Sequence, residues 1–349
     1  MGLVQKDALR TTIISSFGLI LGYLNKGLFF LLVFSTEQIG VVNLVFSLGV
    51  LFAQFSNFGS VYSIWKFFPF FKNKEKKHHG FLSFSLLITL LGAGIVSLFF
   101  LLFRSNIEYI YESKSPMFID YYLWVIPLGI GYLLYLVFEV YLRSLFKNVI
   151  SVFAMDVLLR LVVSILLLLF WLDFIDFNDF VVAHSLVFFI PPLILIFYLK
   201  YLGEFFVNPL KINISKRFKK IIFNYSTFNY MNTLGRVLVN ALDVIMIAQF
   251  IGLKATGVYT TVVFLTSAIQ VPYKSLIRVS SPLISEHWKN RDFSGMKLLY
   301  RQVSSVSLVI GLGLFICAWV NIDFLFSFLK PEFSEGIWVF FFLMMGRLL

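Results

Sequence analysis

Lys72-Asn73-Lys74-Glu75 returns 217 residues later as Lys289-Asn290-Arg291-Asp292, and Ile39-Gly40 returns at the same offset as Thr256-Gly257. In both copies the charged tetrapeptide begins 32 residues after the glycine. A charged motif that recurs at a fixed distance within apolar sequence marks an internal duplication. What surrounds each copy decides what is duplicated. Continuous apolar runs occupy about 11–34, 39–64, 81–103, 121–142, 149–172, 180–199, 228–251, 256–280 and 302–320, and a tenth starts near Gly336. Each of the first nine is long enough to cross a hydrocarbon core of roughly 30 Å as an α-helix. The offset lays helix 1 on helix 7, helix 2 on helix 8 and helix 3 on helix 9, so the repeated unit holds six helices. Six is even, so both copies enter from the same side, as parallel repeats related by an axis along the membrane normal.

Composition agrees with lipid as the main solvent. Of 349 residues 59% are apolar and 13% charged, Phe alone contributes 44, and the mean hydropathy is +0.89. No water-facing body of this size buries so much apolar surface. The runs are continuous and do not alternate, which excludes a membrane β-barrel and predicts an all-α polytopic membrane helix bundle. Its expected organisation is an N-terminal lobe of helices 1–6 over residues 1–204, a basic cytoplasmic linker over 205–227, and a partial C-terminal lobe of helices 7–10 over 228–349. The tenth run reaches only 13 residues, Ile337 to Leu349, and a second copy equal to the first would extend to about residue 418, so the second lobe reads as truncated. Lys6 and Arg10 precede an apolar stretch too long for a signal-peptide core, and helix 1 is expected to stay in place.

The formal charge of +11 sits in short loops. With the N-terminus placed in the cytoplasm, that terminus and the loops after helices 2, 4, 6 and 8 carry 21 Lys and Arg against 5 acids, while the opposite loops carry 4 against 10. This asymmetry predicts a cytoplasmic N-terminus and contact of the basic loops with anionic lipid head groups, with no role in nucleic-acid binding. One cysteine, Cys317, excludes an internal disulfide framework, and no Cys/His grouping has metal-ligand spacing. No carboxylate stands beside His78, His79, His184 or His287 in a catalytic arrangement, so the histidines read as solvated or interfacial and no catalytic residue is expected.

Polar residues inside the spans are more informative. On helix 7, Asn229, Asn232 or Thr233, Arg236, Asn240 and Asp243 recur at spacings of 3 and 4, which puts them on one helical face. Helix 8 carries Thr260, Ser267, Gln270 and Lys274, helix 2 carries Asn43, Ser47, Gln54 and Asn57, and helix 1 carries Ser15, Gly22 and Lys26. Such stripes belong in a shared polar space and not in lipid. Six charges lie within spans: Lys26, Glu139, Asp156, Arg160, Arg236 and Asp243. Asp156 with Arg160, and Glu139 with Arg143, stand at i,i+4 and can neutralise each other. Lys26 and Arg236 have no acid within four residues and read either as anion ligands or as members of an interhelical ion pair. Asp243 reads either as a cation or proton site or as a structural partner of Lys26. Gly92-Ala93-Gly94 and Gly311-Leu312-Gly313 read as close helix packing.

Several short motifs then point to a family. Ser35-Thr36-Glu37-Gln38-Ile39-Gly40 before helix 2, Phe58-Gly59 within it, Lys66-Phe67-Phe68-Pro69 ahead of a basic loop, Asp243 with Ile251-Gly252, Gly257-Val258-Tyr259, and the stretch Pro282 to Trp288 resemble the polysaccharide transporter branch of the multidrug/oligosaccharidyl-lipid/polysaccharide export superfamily. O-antigen and capsule repeat-unit flippases belong to that branch. The resemblance implies two six-helix lobes, a location in the bacterial cytoplasmic (inner) membrane, and movement of an undecaprenyl-diphosphate-linked oligosaccharide from the cytoplasmic to the periplasmic leaflet by alternating access. On that reading Lys26, Arg236 and Lys274 hold the diphosphate, and Asn43, Gln54, Asn57, Asn229, Asn240 and Gln270 offer hydrogen bonds to sugar hydroxyls. Asp243 then couples transport to a proton or Na⁺, and no other cofactor is expected. The lipid tail would stay in the bilayer through an opening between helices 1 and 8 or 2 and 7. Membrane lipids and a polysaccharide assembly machinery are the expected partners. Rival readings are an ion-coupled drug or organic-cation antiporter of the same superfamily, a membrane enzyme of envelope assembly, and an inactive fragment or partner-dependent half.

Overall fold

The computed structural model describes residues 3–208 and 212–348, and among these the chain is helical with no strand. Ten helices match the ten apolar runs: α1 (residues 3–33), α2 (36–71), α3 (Phe81–Leu102), α4 (116–144), α5 (Val149–Trp171), α6 (Phe177–Tyr201), α7 (Lys216–Phe250), α8 (253–289), α9 (Phe293–Val320) and α10 (Ile337–Leu348). Seven of them, α1 to α6 and α9, are long and apolar enough to cross a membrane, and α7 adds an eighth if its two arms, bent by 44°, form one span. The chain is an all-α, polytopic membrane helix bundle. Its contacts divide it into two compact units, residues 1–256 and 257–349.

Helix starts follow the capping chemistry in the sequence. Ser35 Oγ accepts from the Gln38 backbone N–H while Gln38 Oε1 accepts from the Ser35 N–H at 2.9 Å, a reciprocal cap that opens α2. Asp176 and Asp179 form the same box at α6, Ser215 caps α7, and Asp292 caps α9. The motif Ser35 to Gly40 therefore encodes a helix start, and its glycine is required by packing. A side chain at Gly40 would collide with the Leu253 carbonyl at the start of α8.

Helix α2 extends beyond the expected 39–64 and is broken once. After Ser56 the backbone turns left-handed at Phe58 (φ 42°) and Gly59 (φ 78°), then resumes as a helix from Ser60 to Phe71. Asn57 makes the turn: its amide donates to the Gln54 carbonyl, and its Oδ1 accepts from the Gly59 N–H at 2.8 Å. Gly59 also lets α7 approach, because a Cβ there would meet Ser226. Helix α2 is the centre of the first unit. It packs on α4 through Gly49, Leu128, Gly129 and Phe52, on α3 where Gly92 lies against the Ser56 carbonyl, and on α7. The close packing expected of Gly92 is present, whereas Gly94 meets nothing.

In the second unit α9 packs against α8 and α10, and Trp319, Trp338 and Phe341 form one ring cluster. The order of a broken helix, a charged turn and a long apolar helix occurs in both units, as α2 and α3 and again as α8 and α9. The break in α8 lies at Ser267–Ile269, about two turns earlier than the 217-residue offset places it.

Candidate functional site in the first unit

Two intramembrane polar clusters form around α1. In the first, Lys26 Nζ donates to Asn43 Oδ1 at 3.2 Å and stands 5.2 Å from the centroid of the Phe46 ring. Asn43 is fixed in turn by its amide, which donates to the Ile39 carbonyl one helical turn back. The ammonium is thus held by a neutral oxygen and a ring face. On the same side of α2, Gln54 is buried and its Nε2 has no hydrogen-bond partner among the described residues. An orphaned buried amide costs about 1–3 kcal/mol, and this one lies about three helical turns along α2 from Asn43.

The second cluster escaped the sequence reading. It lies between α1 and α5, where Gly18 and Gly22 let the helices touch at Asp156 and Arg160. Ser15 donates to Asp156 Oδ2 at 3.0 Å, Arg160 donates to the Gly18 carbonyl, Asn25 donates to the Arg160 carbonyl at 2.8 Å, and Ser164 donates to Asn25 Oδ1 at 2.7 Å. Both helices widen into π-turns at this contact, Asn25–Phe29 in α1 and Phe153–Leu158 in α5. A π-turn adds one residue to the turn and shifts the face that follows it; at the start of this one Asn25 meets α5 and Lys26 meets α2. The signal available in the sequence was the series Ser15, Gly18 and Gly22 at spacings of 3 and 4. The two i,i+4 pairs do form, Asp156–Arg160 at 3.8 Å and Glu139–Arg143 at 3.4 Å.

The remaining expected site residues are dispersed. Asn57 is used by the α2 turn, and Asn229 donates to the Tyr225 carbonyl on its own helix at 3.0 Å. Arg236 and Asp243 lie exposed on α7, and Gln270, half-buried, begins the second arm of α8. The side chains of Asn240 and Lys274 lie outside the described residues. Among the expected ligands, the described contacts bring together Lys26 and Asn43.

Two histidines read as solvated or interfacial are buried instead. His78 packs among Phe68, Tyr141 and Phe206, and the Asn73 N–H donates to its Nδ1, which puts the ring proton on Nε2. That proton goes to Glu204 Oε2 at 2.7 Å; Glu204 also takes Lys74 at 3.3 Å, and its carbonyl accepts from Tyr141. The basic loop is thereby tied to the end of α6. His184 stacks on Phe180 inside α6. Aromatic neighbours explain both cases, distant in sequence around His78 and one helical turn away at Phe180 and Phe188 around His184.

No family model matches the chain, and no curated protein matches it. Solved structures do. The chain is similar to a structure described as the inward-facing conformation of a multidrug resistance MATE family transporter of the MOP superfamily, with a TM-score of 0.70 at 14% identity over 93% of this chain and 78% of that one. It is also similar to MATE in complex with MaL6, with a TM-score of 0.53 at 14% identity over 97% and 78%, and to MATE in the bent conformation, with a TM-score of 0.55 at 14% identity over 99% and 80%. The chain therefore shares its fold with these MATE transporter structures.

Proposed function

We propose that the protein is a membrane transporter that moves a lipid-linked oligosaccharide, its diphosphate held by fixed cations and its sugars by amides. The observation that carries this reading is Lys26: an intramembrane ammonium bonded to Asn43 Oδ1 and laid over Phe46, with the unsatisfied Gln54 amide further along α2. A charge costs roughly 2.5–3.5 kcal/mol at the centre of a membrane helix, so a lysine held by neutral groups is suited to a mobile anion. A diphosphate offers it two units of opposite charge and several acceptor oxygens. The drug antiporter remains the second reading, supported by the multidrug transporter of the same fold, and it calls for carboxylates where this cluster presents a cation.

Arg236 and Lys274 are proposed as further diphosphate ligands, Asn229, Asn240 and Gln270 as sugar contacts, and Asp243 as the group that takes the coupling proton or Na⁺. In a liposome assay of lipid-linked oligosaccharide transport, Lys26→Gln should weaken head-group binding by about ten- to a hundredfold, the effect of losing one charged hydrogen bond of 1.5–3 kcal/mol. Arg236→Lys should give a partial defect, because charge is kept and the two-pronged donor geometry is lost. Asp243→Asn should make transport insensitive to the ion gradient. Unchanged transport with Lys26 and Arg236 both neutral would exclude the anion site, and uptake of organic cations in its place would establish the antiporter.

A further inference from the structure

Helix α7 is joined to the other helices of the first unit in different ways at its two ends. On the side of the basic loops it is held by rings of α2: Phe218 meets Phe67 and Phe71 edge-on, with centroids 6.0 and 5.1 Å away, and Tyr225 meets Phe67 at 5.3 Å. Ile222 between them is buried. Further along, the Tyr230 hydroxyl donates to the Phe55 carbonyl at 3.0 Å. A cavity of about 580 Å³ then lies between α7 and helices α2 and α3, with Tyr230, Ile245 and the polar Gln249 on its α7 wall.

On the side of the acidic loops the contacts are made by backbone and small residues. Ser115 directly precedes Pro116 at the start of α4, where a serine ordinarily accepts a hydrogen bond from the first turn of its own helix. It makes no such bond. Its hydroxyl crosses to α7 and donates to the Ala248 carbonyl at 2.6 Å, with both residues wholly buried. That carbonyl is one of the last four of α7, which have no partner inside the helix; its neighbour on Ile247 takes the N–H groups of Ile251 and Gly252. Gly252, with φ 128°, lies against the Lys114 carbonyl, and Gly40 at the start of α2 lies against the Leu253 carbonyl. A Cβ at either glycine would collide. The turn from Ala248 to Leu253 is thus seated between residues 114–115 and the start of α2.

The two ends differ in what parting them costs. At the basic end separation would expose ring faces to a polar surrounding. At the acidic end Gly40, Ser115, Ala248 and Gly252 bury little apolar area, and a hydroxyl and a carbonyl that separate can each bond to water. Helix α7 can therefore pivot on its ring-packed end and part at the other. With Tyr230 and the turn both engaged, the opening expected between helices 2 and 7 is shut.

Resting on the proposed transport function, we infer that Ser115 and the turn 248–253 form a latch that closes the acidic-loop side of the carrier and releases when cargo leaves there. The test uses the purified chain with Cys317→Ser in nanodiscs of phosphatidylethanolamine and phosphatidylglycerol. A reporter, Val244→Cys, is buried about one helical turn from Ala248 and is challenged with a water-soluble methanethiosulfonate. Ser115→Ala leaves the Ala248 carbonyl buried without its donor in the closed form and changes nothing in the open, hydrated form. Labelling of the reporter should quicken by about ten- to a hundredfold. Ser115→Thr keeps the hydroxyl and should label near the parent rate. A control reporter, Ala154→Cys, buried in α5, should not respond to Ser115→Ala. No change at position 244 would overturn the inference, and so would an equal change at position 154, which would show general loosening. In liposomes, joining Ser115→Cys to Ala248→Cys with a short bis-methanethiosulfonate should stop transport of lipid-linked oligosaccharide, and reduction should restore it. Full transport with the two positions joined would also overturn the latch. Labelling needs no substrate: if it responds as expected while the parent moves no lipid-linked oligosaccharide, the latch stands and the proposed cargo fails.

Discussion

At the scale of single residues, the neighbours of an ionisable group matter more than its type. His78 lies in the turn after α2 and His287 near the end of α8, yet His78 is enclosed by rings and His287 is half exposed and pairs with Asp292 at 2.9 Å. Replacing His78 by Ala should remove the bond to Glu204 and leave a mostly buried carboxylate short of a donor. A loss of about 1–3 kcal/mol is expected, read as a lowered unfolding midpoint in detergent, with insertion unchanged. Asp292 gives a pH effect of defined sign. The Gly295 backbone N–H, the Ser294 hydroxyl and His287 hold its carboxyl down at about 2, below the ordinary value near 3.9. The contribution is present above about pH 4 and is lost as pH falls through about 2. Amide exchange at the first turn of α9 should rise over that window, and Asp292→Asn should flatten the dependence.

At the scale of elements, the breaks in the helices decide which faces meet. Phe58 and Gly59 let α2 change direction and bring Ser226 of α7 against it. Gly59→Ala should cost about 1–2 kcal/mol from the left-handed backbone alone, with the collision at Ser226 in addition. A thermal midpoint unchanged by Gly59→Ala would show that the α2–α7 contact yields without cost. The π-turns of α1 and α5 lie at the contact where Asn25 meets α5 and Lys26 meets α2.

At the scale of the whole molecule, charge asymmetry predicts how the bundle sits in its membrane. The loop at 72–80 is basic and tied to the end of α6, while the loop after α5 holds Asp173, Asp176 and Asp179. With the exposed Cys317 replaced by Ser, single cysteines at Lys76 and at Asp176 should label from opposite sides of the membrane. Labelling of both from one side would overturn the orientation and the parallel repeat with it.

Fold class was legible because lipid as solvent leaves few solutions: a backbone that cannot bond to water must form helices, and the length of each apolar run sets the count. Caps were legible for the same local reason, as Ser35 and Gln38 show. The i,i+4 pairs Asp156–Arg160 and Glu139–Arg143 followed from helical geometry. The site was less legible, because a polar stripe says which face avoids lipid and not what it faces. Asn57 shares the stripe of Asn43 and is used by a turn, while Asn25, which continues the Ser15, Gly18 and Gly22 series but is not among the residues expected on the helix 1 stripe, joins an intramembrane hydrogen-bonded cluster with α5. Residues 3 or 4 apart on one helix are neighbours by geometry alone, so the sequence by itself determined the helices, their caps and their order. Only the tertiary structure decided that Lys26 meets Asn43, that His78 meets Glu204 and that Ser115 meets Ala248, since each joins residues whose separation along the chain carries no information about their distance in space.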